Sequence, residues 1–359
     1  MQQALKTSMK ALLVGFAAFA VAFAQDARYD GETMQVFLSI SGAHRENVMS
    51  YIAPRLKERF GIDLVAEEIG SADMVQRITV QRDNPRISIA HWDVAVAVGA
   101  CDSGLCARID QTLAPAVGGL PEWALIEDDG GDLKVLTTSV LGVGLLYNEE
   151  AFERAGFEPP TSWQDLLRPE LAGRTSVTAL ESTMGTAALV MFAQMGGGGV
   201  DNIDPGFEFV QEVLPNLHTI HTWSSEAANL MQLNEVWLST QSSNIGLQLR
   251  LTGLPIRWIA PEEGSPMSNG GVSIIANAPY QDVAHAYLDL YYSPEFQALR
   301  FREGGVTTPL PAAYELLTDE EVAASDLTPE DFDRLVAIDW QAIGQVRSDW
   351  IERWHREIR

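Results

Sequence analysis

The stretch from Met34 to Val98 constrains the fold more than any other part of this chain. Met34 to Ile40 (MQVFLSI) alternates like a strand. Glu46 to Phe60 follows with Val48, Ile52, Leu56 and Phe60 on one helical stripe, and Gly61 supplies a C-terminal stop. Ile62 to Ile69 reads as a second strand and Asp73 to Arg82 as a second helix. Trp92 to Val98 is dense in valine, the composition of a strand covered on both faces. Strands alternating with helices in this order give parallel strands joined by crossover helices, an α/β architecture. In such sheets ligands bind beyond the carboxyl ends of the strands. Two loops meet that condition: Ser41 to Arg45, offering Ser41, His44 and Arg45, and Gly99 to Gly104, offering Asp102 and Ser103. His44 reads as a ligand contact, a proton-sensitive group or a cap of the following helix. The Ser-Gly pair before a helix start leaves backbone N–H groups free in each case.

The first residues bear on destination. Lys6 and Lys10 precede an uncharged apolar run, Ala11 to Phe23, and Ala22-Phe23-Ala24 has the small-x-small pattern of a signal-peptidase site. The run is shorter than the ~20 residues of a membrane span, so residues 1–24 read as a secretory signal cleaved after Ala24. Gln25 follows, not the cysteine a lipid anchor requires. The mature chain is expected in the periplasm, and its length is beyond that of most single cores, so two lobes are expected. The formal charge of −25 disfavours nucleic-acid and acidic-membrane partners. Only Cys101 and Cys106 occur, within Cys101-Asp-Ser-Gly-Leu-Cys106. In an oxidising compartment a structural disulfide is the favoured reading, and with no histidine in the loop a metal site is the weaker one.

Further along, Thr137 to Tyr147 is strand-like but carries Gly142 and Gly144, which suits a crossing between two bodies where backbones approach closely. Thr175 to Ala179 is a strand leading into Glu181, Ser182 and Thr183 before the apolar helix Ala187 to Met195. Hydroxyls at a helix start read either as an ordinary cap or as a seat for an anion or carboxylate. Val236 to Thr240 is a strand ending at Gln241-Ser242-Ser243-Asn244, a third candidate ligand loop. From Trp258 to Val272 a strand breaks at Pro261, passes Ser268 and Asn269, and resumes after Gly270-Gly271, the mark of a return crossing. Val306 to Leu310 crosses once more. The resulting partition places residues 33–140 with 261–306 in one lobe and 141–260 with 307–359 in the other.

No G-x-S-x-G elbow, H-E-x-x-H, Walker A loop or dinucleotide fingerprint occurs, and the six histidines are scattered. Neither an enzyme nor a resident cofactor or metal is therefore expected. The motifs Trp92-Asp-Val, Gly142-Val-Gly-Leu-Leu-Tyr-Asn148, Thr161-Ser-Trp-Gln-Asp-Leu-Leu and Pro261-Glu-Glu-Gly264 do form an ordered set, continued by Tyr292-Ser-Pro-Glu-Phe and Trp350-Ile-Glu-Arg-Trp354. That set resembles the extracellular solute-binding proteins of ABC importers, and most of all their spermidine/putrescine-binding branch. The resemblance implies a periplasmic-binding-protein-like α/β fold, two lobes on a multi-crossing hinge closing as a monomer around a small-molecule solute. It also implies partners, an inner-membrane permease and its ATPase. Polyamine binders of that branch box a methylene chain with aromatics and hold ammonium groups with carboxylates. Here the expected indole falls at Ser242, the expected Trp-x-Asp at Ser268-Asn269-Gly270, and the expected acids at Leu180 and Thr183, with only Glu181 nearby. A small anionic, zwitterionic or neutral polar solute is therefore favoured over a polyamine. A periplasmic enzyme or a sensor subunit on the same fold are the readings of another class.

Overall fold

The computed structural model describes residues 27–39, 42–267, 269–327, 332 and 334–358; residues 1–24, expected to be a secretory signal, and Ser41 and Ser268 lie outside the described residues. In chain order the strands are β1 (Thr33–Leu38), β2 (Asp63–Glu68), β3 (Ile87–Asp93), β4 (Leu125–Glu127), β5 (Leu133–Ser139), β6 (Val143–Asn148) and β7 (Thr175–Thr178). There follow β8 (Leu217–His221), β9 (Leu238–Ser242), β10 (Ile256–Ile259), β11 (Ser265–Pro266), β12 (Gly270–Ile274) and β13 (Leu335–Val336). One sheet has the order β2-β1-β3-β12-β5-β4 and the other β10-β6-β9-β7-β8, with β11 and β13 forming a short pair. β1 runs parallel to β2 and β3, and β7 parallel to β8 and β9, as helical crossovers demand. β12 enters the first sheet antiparallel to both β3 and β5.

The apolar stripe of Val48, Ile52 and Leu56 is fully buried, but its helix is not uniform. A helix Gly42–Asn47 widens into a π-helical turn at Val48–Ile52 before Ala53–Phe60 resumes the α form. Pro54, which has no N–H to give, sits at that joint. Gly61 closes the helix at φ +77°, the left-handed conformation glycine adopts without steric cost.

The valine-rich run corrects the sequence reading. The strand is Ile87–Asp93 and ends where Val94 begins a helix, Val94–Asp102. β3 is buried along almost its whole length, and the helix carries apolar residues even where Val94, Ala95, Val96 and Val98 are only half-buried, so neither shows the polar face that would separate period 2 from period 3.6. One consequence is that Asp102 and Ser103 stand at the far end of a helix instead of at a strand's carboxyl end. Cys101 and Cys106 are joined there by a disulfide, and both are buried.

Thr137 to Tyr147 divides into β5 and β6, and the chain passes between the sheets at residues 140–142. It returns through 260–269 and meets the first passage again near Thr307, whose carbonyl accepts from Val140 N at 2.9 Å. Gly144 lies so close to β10 that a Cβ there would stand 2.2 Å from Ile259 O, and one at Gly142 would stand 2.8 Å from the Trp258 ring. Each sheet has its own core. Leu38, Ile52, Leu136, Tyr287 and Phe296 belong to the first, and Leu145, Trp163, Val177, Leu189 and Phe207 to the second. Trp350 and Trp354 of the C-terminal helix Trp340–Glu357 pack into the second core.

Candidate functional site

The carboxyl ends of β3, β7 and β9 and the passages between the sheets bring polar groups together. Gly142 N donates to Ser243 Oγ at 3.3 Å, and Ser243 N returns a bond to Gly142 O at 2.9 Å. Leu141 N donates to Asn269 Oδ1 at 3.4 Å, while Asn269 O accepts from Val94 N at 3.0 Å and so satisfies an orphan donor at the start of the helix Val94–Asp102. Gly270 N donates to Ser139 Oγ at 3.1 Å. Asn269 and Ser243 thus hold the two passages against the sheets, which ties residues from four separate parts of the sequence into one seam.

At the end of β9 the polar run is buried. Ser242 Oγ donates to Asn244 Oδ1 at 2.6 Å, with Gln241 Oε1 3.3 Å away. Gln241 Oε1 accepts from Ser242 N at 2.9 Å and from Ser224 Oγ at 3.2 Å. A backbone N–H can only donate, so the amide oxygen is the atom facing it and the orientation of the Gln241 amide is fixed. Its Nε2, on a side chain with no solvent exposure, has no hydrogen-bond partner. Trp258 Nε1 holds the same residue from behind, donating to Gln241 O at 3.1 Å. Gln241 is a residue that sequence reasoning passed over in favour of its neighbours; the available signal was a long amide side chain inside an otherwise closed strand.

At the end of β7, Ser182 caps the helix Thr183–Met195, accepting from Met184 N at 3.2 Å, and Thr183 is exposed at its first turn. Glu181 Oε1 lies 3.3 Å from His355 Nε2. Arg347, distant in the chain and not singled out from the sequence, also arrives here: its Nε donates to Thr186 Oγ1 at 3.0 Å and its Nη2 to Glu181 O at 2.6 Å. Desolvation lowers the Arg347 pKa from its usual value, with the Glu181 charge opposing. Arg347 belongs to the helix Trp340–Glu357, which also approaches the helix Val94–Asp102 from the first sheet. Trp223, just beyond β8, is 68% exposed and is a second residue the sequence reading did not single out.

On the first sheet, Asp93 ends β3 and exchanges bonds with Ser71. The Ser71 hydroxyl donates to Asp93 Oδ2 at 3.0 Å, and Asp93 N donates to Ser71 Oγ at 3.1 Å. The surrounding protein desolvates the carboxyl and raises its pKa, Ser71 partly offsets this, and the residue keeps solvent access. His44 is turned inward, with its Nε2 3.2 Å from Tyr291 Oη and its ring packed edge-on against His91. Burial, with the Arg300 charge adding to it, lowers the His44 pKa to about 3. Arg45 is exposed and reaches Ala66 O at 3.4 Å. The structure therefore gathers Ser242, Ser243, Asn244 and Asn269 at one seam and places Glu181, Ser182 and Thr183 on the same side of the second sheet. His44 lies in a core, and Asp102 and Ser103 lie at the remote end of their helix. Among the described residues no group of three or more His, Cys, Asp or Glu side chains is arranged to hold a metal.

The profile of the bacterial extracellular solute-binding proteins matches residues 51–329, and the chain belongs to that family. It is 24% identical over 200 residues to the spermidine/putrescine-binding periplasmic protein of Escherichia coli, covering 55% of this chain and 57% of that one. The chain thus spans under two thirds of the length of the curated relatives it matches. Among solved structures, the spermidine/putrescine transporter substrate-binding protein of Streptococcus pneumoniae, in complex with calcium and HEPES, superposes with a TM-score of 0.73. That pair is 18% identical, and the match covers 91% of this chain and 99% of that one. The periplasmic binding protein AfuA of Actinobacillus pleuropneumoniae, with fructose-6-phosphate bound, superposes at 0.64 with 19% identity over 92% of this chain and 99% of that one. At such identities the likeness establishes the fold, the two-lobed α/β fold of the periplasmic binding proteins. Among the described residues no helix is long and apolar enough to cross a membrane.

Proposed function

We infer that this protein is the solute-binding component of an ABC importer, a binder and not a catalyst. It acts in the periplasm after its leader is removed beyond Ala24, and it delivers its solute as a monomer to a permease and its ATPase. Family membership and a fold shared with transporter proteins support the role. Residues 33–140 with 261–306 form one lobe in this reading and 141–260 with 307–359 the other. The division of β1 to β5 and β12 from β6 to β10 between two sheets supports that partition. The solute lies between the lobes against Ser242, Ser243, Asn244 and Asn269.

The observation that carries the ligand class is the Gln241 amide. Its Nε2 offers two N–H donors, buried at the end of β9 without an acceptor, and an unsatisfied buried donor costs about 1–3 kcal/mol. A solute oxygen would relieve that cost, whereas an ammonium head would place donor against donor. A carboxylate, a phosphonate, a zwitterion or a hydroxylated neutral compound therefore fits better than a diamine. Calorimetric titration of the exported protein with carboxylates, phosphonates and zwitterions, alongside putrescine and spermidine, tests this. An acceptor-bearing solute should bind and should weaken about tenfold or more in Gln241→Leu. Tight polyamine binding with no loss in Gln241→Leu would overturn the ligand class and leave the transport role standing.

A polyamine is the second reading. It is favoured by the Asp93 carboxylate at the end of β3, by the exposed Trp223 ring, and by relatives named for spermidine and putrescine. In that case Asp93→Asn, not Gln241→Leu, would carry the loss.

A further inference from the structure

β7 runs parallel to both β8 and β9, so the carboxyl ends of all three strands lie along one edge of the second sheet. The turn that leaves β8 there carries Trp223. Its side chain is 68% exposed, and among the described residues no other ring and no cation packs against the indole. A lone exposed aromatic is ordinary on a protein surface. This one is neither loose nor remote.

The turn is pinned from its own helix. Glu226 Oε2 accepts from Thr222 N at 2.9 Å and from Trp223 N at 3.2 Å. One residue further on, the Ser224 hydroxyl donates to Gln241 Oε1 at 3.2 Å, which ties the turn to the end of β9. Trp223 is therefore one residue from direct contact with the amide whose Nε2 the protein leaves without a partner. β8 and β9 flank β7 at two strand spacings, about 10 Å. A guest that touches both the indole and the end of β9 is accordingly short.

Its two ends face opposite electrostatics. The face of an indole attracts cations, more strongly once water is displaced. The Glu226 carboxylate, held beside Trp223 N, adds negative potential at the same turn. The end of β9 takes an oxygen in the reading above. A diamine satisfies the turn and opposes the strand end, and a simple carboxylate does the reverse. A short zwitterion meets both.

We propose that Trp223 is a specificity-determining residue of the seam, its indole taking the ammonium end of a short ω-amino acid whose carboxylate turns toward the end of β9. This rests on the acceptor-bearing solute inferred above and narrows it to one class. The test uses the exported chain labelled with 5-fluorotryptophan, its Trp223 resonance identified by its absence from Trp223→Phe. The probes are 4-aminobutyrate and 6-aminohexanoate, with butyrate, n-butylammonium and putrescine as matched controls. At least one ω-amino acid should saturate the protein and shift the Trp223 resonance, with butyrate and butylammonium at least about tenfold weaker. Trp223→Leu should weaken the ω-amino acid about tenfold and leave butyrate unchanged. Its melting temperature should hold, because the side chain is exposed. Trp223→Phe should recover part of the loss, since it restores an aromatic face. Gln241→Leu should weaken the ω-amino acid and butyrate alike. Butyrate binding as tightly as the ω-amino acids, or a Trp223 resonance unmoved at saturation, overturns this proposal and leaves the acceptor-bearing solute standing. So does absence of saturation by either ω-amino acid below about 10 mM. Putrescine or butylammonium binding more tightly than both ω-amino acids, with no loss in Gln241→Leu, overturns the two readings together.

Discussion

His44 shows what a single buried side chain does to the whole protein. Its pKa falls to about 3 in the folded state against 6.5 for the free group, so the folded form binds fewer protons throughout that interval. The stability associated with a neutral His44 is fully present above pH 6.5 and is lost progressively as pH falls toward 3. The slope is about 1.4 kcal/mol per pH unit for each such group. His91 shifts in the same direction, through burial first and the neighbouring His44 and Arg300 next, and His221 falls to about 4. Urea midpoints measured from pH 7 to pH 4.5 should fall steeply, and His44→Phe should flatten the dependence. An unchanged slope in that variant would show that His44 is not a source of it. Gly144 makes a steric prediction. Alanine there drives a Cβ to 2.2 Å from Ile259 O, so Gly144→Ala should cost about 1–3 kcal/mol in denaturant unfolding. The close approach at Gly144 was readable, since two glycines in a strand-like run have few other reasons to be there. The inward turn of His44 was not, because nothing local shows that Tyr291 and His91 arrive from distant segments to surround it.

The same division holds for elements. The stripe Val48, Ile52, Leu56 has a solvent side that gives away its period, and the structure keeps it helical through a widened turn at Pro54. Val94–Asp102 has a partly open side too, but valine, alanine and glycine occupy most of it, and local composition could not separate helix from strand there. The loop after β9 was legible as polar, but only three-dimensional pairing reveals that the Gln241 amide there is left with an unanswered donor. Helix Trp340–Glu357 carries a further expectation. Trp350 and Trp354 are at most 6% exposed in the second core, and loss of a buried tryptophan costs about 3–5 kcal/mol. Trp354→Ala should therefore loosen the helix Thr183–Met195 and β7 in hydrogen exchange and leave β1 and β2 protected. Loss of protection spread evenly over both sheets would contradict separate cores.

For the whole molecule, strand–helix alternation announced the class of fold, whereas the order of strands is a long-range fact. β12 is the clearest case. It is translated about 130 residues after β5 yet fills the middle of the first sheet, paired through Val272 to both His91 and Leu136. Until it emerges, β3 and β5 have no strand between them and each presents an open edge, the condition in which chains aggregate. Fragment 25–260 should accordingly lack the near-ultraviolet dichroism of the native protein and self-associate, and supplying 261–359 in trans should restore both properties. A folded, monomeric 25–260 fragment would refute this. The middle position of β12 thus also sets a timetable for synthesis: while the chain is still being made, its first half has no finished sheet to fold into. A polypeptide built in this order stays threadable until its last third appears, which would suit the export through a narrow channel that the proposed role requires.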